Sequence, residues 1–204
     1  MAFKKYKLID DVINEFQLSF QKLHFLEDAP IVKVPDRLIA DLEYSISNMP
    51  YKVSEAAIRE NILYPILKEV FKPHDKLLML WANKSINYKN ELSGMPDYLL
   101  AKQSERGKII FGKPILAVVE AKKDDFEGGW AQCAFEMYTI QKINEKPEIP
   151  VFGIVTNGDN WEFGKLEGTL FTKNEVFYTI VQLELVYSKL SFFFELCKQN
   201  AVNI

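Results

Sequence analysis

An apolar strand that ends in a carboxylate and an amine constrains this chain more than any other feature. Residues 114–123 read PILAVVEAKK. Side chains alternate faces along a strand. Ile115, Ala117, Val119 and Ala121 are therefore expected on one face, where the small alanines let a helix approach. Leu116, Val118, Glu120 and Lys122 are expected on the other. Burying a carboxylate or an ammonium is costly unless it is paired or bound to metal. A second carboxylate, Asp97, follows Gly94-Met95-Pro96 and opens the preceding strand, so neighbouring strands would bring Asp97 and Glu120 together at one end of a sheet. Two close carboxylates repel, and a divalent cation relieves the repulsion. Mg²⁺ suits such a site because it needs only one or two carboxylates and fills the rest with water and phosphate; Mn²⁺ is expected to substitute. The metal would polarise a phosphate and acidify a bound water. Lys122 would orient or deprotonate that water and offset developing charge.

The rest of the chain reads as one domain, without repeats or Gly/Ser linkers. Hydrophobic periodicity predicts an amphipathic helix over residues 5–20, built on Leu8, Ile9, Val12, Ile13, Phe16 and Phe20. A second helix is expected from Pro35 to Ser47, and a third over residues 55–70 behind a Ser54 cap. Strand patterns follow at residues 77–88 and 94–102, with a loop at QSERGK. Gly128 and Gly129 punctuate the chain before a helix from Trp130 to Ile143. Two strands meet at Asn157-Gly158, a common hairpin dipeptide. Two short strands flank Lys173-Asn174, and a helix runs from Val181 to Gln199. The order predicts an α/β (α+β) fold with a mixed central sheet flanked by helices. Residues 1–50 are read as a helical N-terminal extension packed on a core of residues 51–204.

Taken together, SEAAIRENILYPIL, GMPDYLL, ILAVVEAKK, Gln132 with Tyr138 after it, and FGIVTNGDNWEFGKL resemble the PD-(D/E)XK nuclease superfamily. The closer likeness is to the N-terminal nuclease domain of type I restriction motor subunits and their stand-alone relatives. It covers residues 54 to about 166. The resemblance implies a restriction-endonuclease-like fold and Mg²⁺-dependent hydrolysis of DNA, with Asp97, Glu120 and Lys122 as the catalytic core. It also implies an acidic residue from an upstream helix, for which Glu55 and Glu60 are candidates. At 100° per residue Glu55 lies on the stripe of Ile58, Ile62 and Ile66, so Glu55 is expected to join Asp97 and Glu120 as a metal ligand. Gln132 matches a helix glutamine that borders the active site. Tyr138 is expected to pack on a helix face, Trp130 and Trp161 in the core, and Asp124 and Asp125 in a solvated loop.

Composition narrows the alternatives. The chain has 204 residues and a net charge of −3, which is not the footprint of a protein that coats nucleic acid. Any phosphate-binding surface is local, and Lys102, Arg106, Lys108, Lys113, Lys122 and Lys123 crowd one stretch. Two histidines and two cysteines, with no CxxC, argue against structural zinc. Cys133 and Cys197 read as buried thiols of a reducing compartment. No apolar run of ~18 residues spans a membrane, and the N-terminus does not read as a secretory signal, so a cytoplasmic location is expected. A two-carboxylate sugar hydrolase has no role for Lys122. Absence of a helix-turn-helix or zinc finger leaves open a homodimer or a partner protein that supplies sequence recognition. It also leaves open a catalytically silent module of the same fold that acts in binding or assembly.

Overall fold

The computed structural model describes residues 6–89 and 92–202. A mixed sheet of eight strands is sandwiched between two helical layers. Its strands run in the order β1 (Ser19–Lys22), β9 (Leu170–Lys173), β8 (Asn160–Glu167), β7 (Val151–Thr156), β6 (Ile115–Ala121), β5 (Tyr98–Lys102) and β2 (Leu78–Ala82), and β10 (Tyr178–Thr179) also pairs with β8. β5 (Tyr98–Lys102) and β6 (Ile115–Ala121) are antiparallel, with Tyr98 opposite Val119. β6 and β7 (Val151–Thr156) are parallel, as a helical crossover between them requires. That crossover is α5 (Phe126–Asn144). β7 turns back into β8 (Asn160–Glu167) through Asn157, whose Oδ1 accepts the backbone N–H groups of Asp159 and Asn160 at 3.1 and 2.8 Å.

Each face of the sheet carries its own core. One side packs α2 (Asp36–Asn48), the helical run Glu55–Phe71 and α6 (Leu183–Val202) on Ala117, Val119 and Ala121. The other packs α5 and α1 (Ile9–Glu15) on Val118 and Val155. Strict alternation along β6 holds from Ala117 onward but not before it. Leu116 joins the first core and Ile115 the second, because the β5–β6 register shifts between Leu100 and Ala101. Trp130 and Trp161 are fully buried core residues, and Tyr138 stacks on Phe16 with ring centroids 4.0 Å apart.

Three further expectations change. The helix anticipated over residues 5–20 stops at Glu15 (residue 5 lies outside the described residues). Gln17 then adopts φ 52°, and Ser19–Lys22 becomes β1, an edge strand parallel to β9 (Leu170–Lys173). Periodicity missed this because pairing with β9 is a long-range contact. The strand expected at residues 77–88 is two, β2 (Leu78–Ala82) and β3 (Ile86–Tyr88); β3 forms a separate hairpin with β4 (Leu92–Gly94). Finally, the glycines before the expected helix lie inside it. Asp125 caps α5 by accepting the Gly128 N–H at 2.8 Å. A Cβ on Gly129 would lie 2.8 Å from both Lys122 Cγ and Val155 Cγ1. Glycine there costs helix stability but lets α5 press onto the ends of β6 and β7.

Candidate functional site

The β5–β6 register sets Asp97, the residue before β5, against the C-terminal end of β6. Asp97 Oδ2 accepts the Ala121 N–H at 2.8 Å, so its side chain is tied across to the neighbouring strand. Its Oδ1 accepts from Arg59 Nη1 at 2.5 Å. Arg59 Nη1 also donates to Asn83 Oδ1 at 2.8 Å, and the Asn83 N–H donates to the Asp97 carbonyl at 2.9 Å. Both oxygens of Asp97 are thus engaged.

Glu120 emerges beside Asp97 on the face covered by α5 and is only 1% exposed. Its Oε2 lies 3.6 Å from Lys122 Nζ, whereas among the described residues its Oε1 has no donor. Lys122, two residues on, donates to Gln132 Oε1 at 2.8 Å. That bond fixes the Gln132 amide, whose Nε2 faces Glu136 Oε1 at 3.4 Å. Asp97, Glu120, Lys122 and Gln132 are therefore brought together.

The structure adds two residues to this set. Glu136 lies one turn beyond Gln132 on α5, is 0% exposed, and among the described residues finds no donor for Oε2. Its signal in the sequence was the i,i+4 spacing from Gln132, which puts both on one helix face, and a carboxylate between Phe135 and Met137. Burial pushes the Glu120 carboxyl well above its ordinary value, with Glu136 and then Asp97 adding to the effect. Burial also raises Glu136, against hydrogen bonds from Glu120 and Gln132 that lower it.

The second addition is Arg59, and it corrects the expectation for Glu55. Glu55 is the first residue of α3 (Glu55–Ile58), just behind the Ser54 cap, and it is solvent-exposed rather than part of the buried stripe; Glu60 is exposed as well. The helix continues through a π-helical turn, Arg59–Leu63, into α4 (Tyr64–Phe71). The wheel assigned Glu55 to the stripe of Ile58, Ile62 and Ile66, but at the first residue of the helix that direction meets solvent, and burial begins at Ile58. The side chain that this helix delivers to Asp97 is a guanidinium.

The basic stretch divides likewise. Lys122 is in the site, while the loop carrying Arg106 and Lys108 begins after Lys102, at the far end of β5. Five residues at ~3.4 Å each separate the two ends by roughly 17 Å. Lys113 Nζ donates to the Ile143 carbonyl at 2.6 Å, so it too faces away. Asp124 is exposed, and Asp125 is exposed while it caps α5.

Paired carboxylates are the donor type a hard divalent cation takes, and one or two of them suffice for Mg²⁺. Glu120 Oε1 and Glu136 Oε2 are buried carboxylate oxygens without donors, and only a shared proton or a cation relieves them. Among the described residues, no group of three or more His, Cys, Asp or Glu side chains is placed to hold a metal ion; the Arg59 and Ala121 bonds occupy Asp97. No family model matches the chain, and no curated protein matches it. Among the described residues, no helix is long and apolar enough to cross a membrane.

Proposed function

We propose that this chain is a divalent-metal-dependent nuclease of the PD-(D/E)XK, restriction-endonuclease-like class, hydrolysing DNA phosphodiester bonds. The observation that carries the reading is a buried Glu120 with a donorless oxygen, beside Asp97 on the next strand and Lys122 two residues on. The β6–α5–β7 crossover next to an antiparallel β5 is a sheet arrangement in keeping with that class.

Asp97 and Glu120 would hold Mg²⁺ or Mn²⁺, which supplies Lewis acidity toward the scissile phosphate and a more acidic bound water. The chain's own groups do the remainder. The Ala121 N–H fixes the Asp97 carboxylate against β6. Gln132 holds the Lys122 ammonium beside Glu120, where it can orient a water and offset charge on a pentacovalent phosphorus. Arg59 pairs with the same Asp97 carboxylate, and its guanidinium is a group that would take a phosphate oxygen.

Supercoiled and linear DNA incubated with Mg²⁺ or Mn²⁺ test the proposal. Wild type is expected to cut, and Lys122→Ala to be slower by about 10²-fold or more. Equal rates for the two proteins would overturn the assignment. A second reading, a catalytically silent module of the same fold that acts in assembly, is favoured by one observation. Arg59 already neutralises Asp97 without any metal. No cleavage and no heat on titration with Mn²⁺, alongside tight binding to a partner protein, would select it.

A further inference from the structure

We infer that Glu136 is a further ligand residue of the cation site, supplying from α5 the third carboxylate that the upstream helix does not bring. The inference rests on the proposed metal-dependent reading. Three observations carry it. Glu136 is 0% exposed; among the described residues its Oε2 has no donor, its Oε1 lies a long 3.4 Å from Gln132 Nε2, and its other polar neighbour is the Glu120 carboxyl, itself an acid. A carboxylate serving packing alone would be destabilising in that place. Second, the fold makes room for it. A Cβ on Gly94, at the end of β4, would lie 2.6 Å from Glu136 Oε1 and 2.8 Å from its Cγ; the three nearest atoms all belong to Glu136. Third, Glu120 presents its own donorless Oε1, and Lys122 is a single ammonium already shared between Glu120 and Gln132. One amine cannot complete two buried carboxylates. A hard cation that accepts oxygens from both can.

The upstream candidates offer nothing comparable. Glu55 and Glu60 are exposed, and Arg59, between them in sequence, carries the wrong charge for a ligand. A set of Asp97, Glu120 and Glu136 would draw on one loop, one strand and one helix, all anchored on the same end of the sheet.

Calorimetric titration of the full chain with Mn²⁺ tests this. Glu136→Gln keeps shape and removes the charge; it is expected to weaken Mn²⁺ binding by about tenfold or more. Glu55→Gln is expected to bind as wild type. Gly94→Ala leaves the carboxylate in the chain but pushes it from its place, and the same loss of affinity is expected, which guards against a Gln variant that misfolds. Wild-type affinity in both Glu136→Gln and Gly94→Ala, with binding lost in Asp97→Asn, would overturn the role of Glu136 and leave the nuclease reading standing. No binding by wild type at millimolar Mn²⁺ would remove the metal site itself.

Discussion

Glu120 and Glu136 make the site's chemistry dependent on pH at the level of single residues. Both are acids whose folded-state values are raised by burial. The folded chain therefore holds protons that the unfolded chain releases from about 4.5, the ordinary glutamate value. Stability they contribute is present below that value and is lost as pH rises, through about 7 for Glu136. In the absence of divalent metal, the melting temperature is expected to fall between pH 5 and about 8. Glu136→Gln should flatten that slope, and a wild-type slope in the variant would refute the coupling. Arg59 allows a second test. Its side chain is 24% exposed and that of Asp97 16%, so Arg59→Met should cost roughly 1–3 kcal/mol in urea denaturation. Saturating Mn²⁺ should restore more stability to this variant than it adds to wild type, because the cation then replaces a missing guanidinium.

At the scale of elements, the position of Lys122 depends on how closely α5 sits on the sheet. Gly129→Ala would improve helix propensity by up to about 1 kcal/mol. Its methyl, however, would meet Val155 Cγ1 and Lys122 Cγ at 2.8 Å. Val155 is held on both sides by pairing with Glu120 of β6 and Glu162 of β8, so the helix must move instead. A net destabilisation of about 1–3 kcal/mol is expected by chemical denaturation, together with slower cleavage because the Lys122–Gln132 bond is displaced. This element was only half legible in the sequence. Its apolar pattern gave a helix from Trp130, but the glycines looked like punctuation. Only contact with β6 and β7 explains why glycine is the residue that fits within the first turn. The Glu55–Phe71 helix was misread in the complementary way. A wheel gives directions around an axis but says nothing of where the sheet ends beneath it. Glu55 thus extends into solvent, and Arg59 reaches Asp97.

For the whole molecule, residues 9–22 are part of the sandwich rather than an added helix. Val12 is fully buried against the α5 side, and β1 closes the β9 edge. Removing residues 1–23 should bare that edge and the Phe16 site on Tyr138. Self-association on gel filtration and a lower melting temperature are expected; a monomer of unchanged stability would show the segment to be dispensable. The sequence by itself determined the buried strand, the facing of Glu120 and Lys122, the strand that brings Asp97, and the mixed layered class. Those follow from local periodicity, which a chain carries wherever it folds. Tertiary structure alone decided that Glu136 and Arg59 complete the cluster, that Glu55 leaves it, and that the lysine-rich loop lies at the sheet's other end. Each of these depends on distances between segments far apart in the chain, and register and helix docking fix such distances only once the two cores are packed.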